Sequence, residues 1–450
     1  MNRYAIGVFV LAVTVRVGLM VGHGTYRINP KRDYWSAGWE TGRIARQLAT
    51  GHGFAMEFDQ FAPKPPKATA WLAPLYPYVY SGVFRVCGVY TVTSFVVIEG
   101  LQVLFAAWTA VLLLALGTEL FSHRVGLVAA VMFSLWAPGA LFCVWFIWGT
   151  TLLAALVLWL MLLAVRQKRQ PRRWRVALMG LVAAAILLTE PAAGLFLPVL
   201  AVWLGVQRGR RGWGEAVTIG VIAAVLIAPW ILRNHRVLGV WVPIKSNFGH
   251  ELFIGNHPDA TGFYRRTQLL VEKCFDRPTY ERLAAADEAE MSRMLGAYAA
   301  DYIADHPGGF ATLTAKRMWW FWRFKLDAKW GKLINRQAVW KKLRWFDEVV
   351  QDLLLILAYL GAVLALWRRV GVGLPVLFLL TYPLAYYITH VDIPRYRYPV
   401  WPVVMLLAAW TLVEGRRAVT ARRSACELRA DDDASPASTQ SGAGGRHAAK

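Results

Sequence analysis

Four carboxylates crowd a polar stretch near the start of the chain: Asp33, Glu40, Glu57 and Asp59. A carboxylate in a partly dry cleft can be tuned to take the proton from an attacking hydroxyl or amine. The plain alternative is solvated loop charge, paired with neighbours such as Lys31 or Arg43. Asp33 and Glu40 stand out because they follow an apolar block closely and lie among Tyr34, Trp35 and Trp39. Cations suited to a phosphate come from elsewhere. Arg233 ends another apolar block, and Arg395 and Arg397 sit in a turn bounded by Pro394 and Pro399. Guanidinium groups bind phosphate through charge-assisted, often bidentate hydrogen bonds, although span-end arginines ordinarily snorkel to the interface. His390 and Asp392 share that turn and are placed to support it. Cys87, Cys143, Cys274 and Cys426 show neither metal-ligand spacing nor a CxxC pair. The sequence therefore requires no cofactor, and a divalent metal stays an open option.

The elements that must position these residues are membrane helices. The chain has 450 residues, 57% of them hydrophobic, with 22 Trp and a mean hydropathy of +0.38. Its apolar residues come in long blocks, and stretches such as Val217 to Leu232 and Val400 to Val413 hold no charge over their full length. A membrane-crossing helix needs roughly 20 apolar residues, and about ten blocks meet that need. The expected fold is an all-α integral membrane protein with two large extracytoplasmic segments. The net charge of +22 would suit a nucleic-acid partner, but its distribution points elsewhere. Arg166, Lys168, Arg169, Arg172, Arg173 and Arg175 fill one short gap, Arg208, Arg210 and Arg211 another, and Arg368 and Arg369 a third. Arg416, Arg417, Arg422 and Arg423 follow the last block. Short basic loops mark the cytoplasmic side of a membrane, so no nucleic-acid partner is expected.

This pattern divides the chain into an N-terminal transmembrane module over 1–232, an extracytoplasmic segment over 233–348, C-terminal transmembrane helices over 349–415 and a disordered cytoplasmic tail over 416–450. The first span, about 4–22, carries Arg16 and is followed by no A-x-A-like cleavage site, so it stays uncleaved. The first outer loop then runs over about 23–90. Within it Trp39 to Leu48 reads as a helix ended by Gly51 and Gly53, and Pro63, Pro65, Pro66, Pro74 and Pro77 keep the rest irregular. Both termini fall in the cytoplasm of a multi-pass protein of the inner (plasma) membrane. Beyond the bilayer, an acidic helical stretch spans Tyr280 to Asp305, and a basic-aromatic one, Lys316 to Lys332, suits the headgroup layer.

Several of these segments carry a resemblance. Asp33-Tyr34-Trp35, Glu40-Thr41-Gly42-Arg43-Ile44-Ala45-Arg46 and Gly51-His52-Gly53-Phe54 resemble the first outer loop of bacterial GT-C fold membrane glycosyltransferases. The kinds most similar are glycosyltransferase family 39 and protein mannosyltransferase-like enzymes. Thr69 to Pro77 resembles their next motif, as does Ala228 to Asn234 followed by Gly239, Pro243, Glu251-Leu252 and Gly255 to Gly262. Pro394 to Pro399 with Pro402 is similar to their last outer turn, and the likeness covers roughly residues 1–415. In similar proteins an acid often follows the Trp of the second outer turn, whereas here the run is Ile147-Trp148-Gly149-Thr150-Thr151.

The resemblance implies a polyprenyl-phosphate-linked sugar donor, a site at the outer membrane surface and a catalytic acid in the first outer loop. That role falls on Asp33, with Glu40 second, and Arg43 and His390 as further candidates. The implied reaction is an inverting sugar transfer to an extracytoplasmic glycan, lipid or protein, with the lipid bilayer as its setting. A polytopic transporter or lipid flippase is the alternative, and an assembly partner without activity a third reading. Transport of polar solutes leaves ionisable residues deep in the bilayer. Here Glu99, Glu119, Glu190 and Asp352 lie near span ends.

Overall fold

Apolar blocks become helices because a chain in hydrocarbon must satisfy its own N–H and C=O groups. The computed structural model describes residues 3–27, 39–57, 65–323, 337–391 and 394–434. Helix α1 (Arg3–His23) crosses first, and α2 (Trp39–Ala49) is the helix expected in the first outer loop. Gly51 and Gly53 follow it at φ 88° and 77°, left-handed values that favour glycine and end a helix. A two-residue antiparallel ladder, β1 (Ala55–Met56) on β2 (Lys67–Ala68), closes the loop. Residues 65–74 are irregular apart from β2, as the prolines lead one to expect, but past Pro74 the chain forms α3 (Leu75–Cys87). Pro77 stands in its first turn, where a missing N–H costs no intrahelical bond.

The bundle then continues through α4 (Val92–Leu120), α5 (His123–Leu135), α6 (Ala137–Trp145), α7 (Thr150–Arg169) and α8 (Arg173–Thr189). A short 3-10 turn, Pro191–Leu195, leads into α9 (Phe196–Arg208) and α10 (Arg210–Leu238). Outside the bundle lie α11 (Phe248–Gly255), α12 (Thr267–Cys274), α13 (Arg277–Ala285), α14 (Glu288–Asp305) and α15 (Pro307–Trp322). The acidic stretch is thus two helices, α13 and α14. The chain re-enters with α16 (Gln337–Trp367), α17 (Gly373–Thr381), α18 (Leu384–Ile388) and α19 (Trp401–Ala434). The tail expected to be disordered from 416 continues α19 to Ala434, in a run rich in the helix formers Ala, Arg and Glu.

Among the described residues, seven helical stretches are long and apolar enough to cross a membrane, or eight if the bent pair α5 and α6 is one span. The sequence reading expected about ten spans by the rule of roughly 20 apolar residues. Two shorter apolar stretches stand where the others were placed. One is α8, 17 residues long and packed on α7 and α10. The other, Gly373–Ile388, is interrupted near Pro383, whose ring and absent N–H break helical pairing. The deep arginine also has a structural task. Arg16 donates to the carbonyls of Phe133 and Ser134 at 3.4 and 3.3 Å, capping the end of α5 where the pair bends by 55°.

One end of the bundle collects the basic turns. Glu119 pairs with Arg166 and Arg169 at 3.0 and 2.7 Å, Glu215 with Arg208 at 2.9 Å, and Glu414 with Arg368 at 3.3 Å. The start of α1 belongs to this end through the Tyr4–His123 ring contact. The first outer loop and α11 to α15 occupy the other end. There Arg233 donates to the carbonyls of Thr69 and Phe54, and Glu288 accepts from Thr69, the Ala70 N–H and Ser246. The outer segment is locked to the last outer turn as well. Arg317 donates to the Tyr387 carbonyl at 3.1 Å, and Asn256 to that of Ile388 at 2.9 Å. At Gly255 a Cβ would stand 1.9 Å from the Thr389 carbonyl oxygen, so only glycine fits this crossing.

Candidate active site

Where these parts meet, a cavity of about 1200 Å³ opens. Its deep wall is apolar, built from Leu355, Ala358 and Ala362 of α16, Val376 and Leu379 of α17, and Leu407 of α19. Its other end is polar, with Glu190, Lys245, Asn247, Glu251, Thr389 and Arg395 on the wall. A slot with an oily body and a charged end has the shape and chemistry of an amphiphile with an anionic head.

Arg395 is the cation placed for that head. Its guanidinium lies between the rings of Trp148 and Tyr396, at 4.9 and 5.1 Å, and donates to the Tyr396 hydroxyl at 3.3 Å. Its Nε has no hydrogen-bond partner among the described residues. Burial alone would weaken its charge. Tyr396 and the carboxylates of Glu40 and Glu190 more than offset that, so its pKa lies above the ordinary arginine value. Lys245 faces the same end and meets Glu190 at 3.5 Å.

Opposite these cations stands a carboxylate on α11. Glu251 accepts from His390 Nε2 at 2.7 Å and from the Asn247 amide at 3.0 Å, with His250 3.8 Å away. Burial pushes the Glu251 carboxyl up, and the hydrogen bond from His390 together with the nearby His250 ring overcomes it. The group is therefore held well below the usual carboxylate range and is ionised at neutral pH.

The residues singled out in the sequence separate clearly. Asp33, Asp59 and Asp392 lie outside the described residues. Glu40 opens α2 and acts electrostatically on Arg395, which brings the first outer loop to the cavity's polar end. Arg43 faces Glu57, donating to its carbonyl at 3.3 Å, while Arg46 grips the Glu57 carboxylate at 2.6 Å. Glu57 is thus a structural acid. Arg233 spends its Nη donors on Thr69, Phe54 and Asn234, and Arg397 donates to the Trp322 carbonyl at 3.2 Å. Of the three arginines, Arg395 is on the cavity wall. His390 is buried and holds Glu251. Among the described residues no group of three or more His, Cys, Asp or Glu side chains is arranged to hold a metal ion.

Sequence reasoning missed Lys245 and read Glu190 only as an acid near a span end. It quoted Glu251 within a motif and gave it no role. The available signal was position, since Lys245 and Glu251 follow Arg233 closely in the segment that leaves the bilayer.

No protein-family model matches the chain, and no curated protein matches it. Solved structures do. The apo form of the oligosaccharyltransferase from Archaeoglobus fulgidus is similar at a TM-score of 0.56 and 13% identity, over 95% of this chain and 52% of that one. AglB from the same organism, in complex with an inhibitory peptide and a dolichol-phosphate, is similar at 0.51 and 13%, over 98% and 53%. ArnT from Cupriavidus metallidurans, bound to undecaprenyl phosphate, has a TM-score of 0.42 at 16% identity over 90% and 77%, too low to bear on the argument. The fold is therefore the all-α GT-C membrane fold that the sequence motifs resemble. The chain spans about half the length of the oligosaccharyltransferase it matches.

Proposed function

We propose that this protein transfers a sugar from a polyprenyl-phosphate donor to an acceptor glycan, lipid or protein at the outer face of the inner (plasma) membrane. The observation that carries this reading is the cavity, whose apolar body leads to Arg395 and Lys245 at its polar end. An isoprenoid tail lies in the apolar body, and its phosphate meets Arg395, a charge-assisted contact. The acceptor oxygen or nitrogen attacks the anomeric carbon from the face opposite the phosphate. Its proton passes to a first-loop carboxylate, and the C–O bond to phosphate breaks with its electron pair on the phosphate oxygen. The configuration inverts. Asp33 is the proposed base, and Glu40 orients the cation and the acceptor. Arg395 stabilises the charge that grows on the departing phosphate. The likeness to an oligosaccharyltransferase crystallised with an acceptor peptide adds support for a transfer reaction on this fold.

The deciding experiment incubates the purified protein in lipid nanodiscs with radiolabelled polyprenyl-phosphate sugars and membrane-extracted acceptors. Label should move from at least one donor, and Asp33→Asn should slow that transfer by at least about a hundred-fold, the scale of general-base catalysis. No displacement of a bound fluorescent polyprenyl phosphate by any donor would overturn the reading.

A further inference from the structure

We infer that Glu251, held by His390, and the Glu190–Lys245 pair form a sugar subsite for a neutral, hydroxyl-rich ring that rejects a sugar bearing an acid group. This inference rests on the proposed donor and deepens it. Glu251 Oε2 takes one hydrogen bond from His390 at 2.7 Å and Oε1 one from Asn247 at 3.0 Å. An ionised carboxylate offers about four lone-pair sites and no donor, so acceptor capacity remains on the cavity side. Glu190, also on the wall, shares one oxygen with Lys245 at 3.5 Å. Adjacent ring hydroxyls supply the donors that two such carboxylates lack.

The cation inventory sets the sign of the selection. Lys245 and Arg395 are the cations on the described cavity wall. Lys245 is matched by Glu190, and Arg395 is the group placed for the donor phosphate. A second acid on the sugar would find Glu251 or Glu190 beside it and no further cation among the described wall residues. Like charges brought together in a site disfavour the wrong partner, which is selection by repulsion. His390, buried behind Glu251, fixes the direction of the carboxylate and acts as a positioning residue.

The test uses the full-length protein in nanodiscs and competition against labelled undecaprenyl phosphate. Three competitors are compared: the bare carrier phosphate, its glucosyl form and its glucuronosyl form, which differ at the sugar only. The bare carrier and the glucosyl form should compete, and the glucuronosyl form should be at least tenfold weaker than the glucosyl one. Glu251→Gln, or Glu190→Gln if the first folds poorly, should narrow that gap at least tenfold by removing one repelling charge. Equal competition by the two sugars in the natural protein, or a gap unchanged in both variants, overturns the subsite. Failure of the bare carrier to compete overturns the proposed donor itself, so the two failures read differently.

Discussion

Arg233, Arg395 and Arg397 are chemically identical, and their neighbours alone separate them. Arg233 holds the first outer loop through the carbonyls of Thr69 and Phe54, and Arg397 is buried against Trp322 and Trp401. Arg395 lies on the cavity wall between two aromatic rings. Arg395→Ala should therefore weaken undecaprenyl phosphate binding about ten- to a hundred-fold, the loss of a charge-assisted contact, with little change in melting temperature. Arg233→Ala and Arg397→Ala should chiefly lower the melting temperature, the first freeing the Thr69 and Phe54 carbonyls and the second that of Trp322, at a cost of roughly 1–3 kcal/mol each. Titration of labelled carrier and thermal melting on the same samples separate the two effects. If all three variants bind the carrier equally well, Arg395 is a packing residue.

At the scale of elements, the outer segment depends on buried polar joints. His257, which follows α11, is buried, and its Nδ1 accepts the Asp259 N–H at 3.2 Å. Burial holds its pKa down at about 4, well under the ordinary histidine value. Above pH 6.5 the ring is neutral in both folded and unfolded chains, so it gives no pH dependence there. Below that, the unfolded chain takes up a proton that the folded one refuses, and stability falls until the pH reaches about 4. The slope from this one group approaches 1.4 kcal/mol per pH unit at most, roughly. Hydrogen exchange over 239–323 should show protection declining across that window, and His257→Asn should flatten the decline. An unchanged slope in the variant would assign the pH dependence to other groups.

For the whole molecule, the basic turns and the start of α1 share one end, and the outer helices with the cavity's polar end share the other. Short basic loops stay in the cytoplasm, which sets the orientation proposed here. In intact cells, on a background without the native cysteines, an impermeant maleimide should label Asp287→Cys and leave Gln170→Cys unmodified. Both positions are exposed, so access and not burial governs the outcome. Labelling at Gln170→Cys alone would invert the molecule and put the cavity's polar end on the cytoplasmic side.

Composition and apolar block length determined the all-α membrane class, because hydrocarbon leaves a chain few other ways to satisfy its backbone. The same rule located α1, α4, α7, α10 and α16, while the turn chemistry of Gly51 and Gly53 located the end of α2. Span count was less legible, since α8 and the break near Pro383 depend on neighbours that cover short or interrupted helices. The helix α3 was hidden by prolines whose effect depends on their exact place in a turn. Only the tertiary structure chose among the charged residues. Glu251 and His390 are 139 positions apart, and Glu190 and Lys245 are 55 apart. An ion pair or a hydrogen bond acts over a few ångströms of space, and nothing local in the chain marks which distant residues folding will bring within that reach.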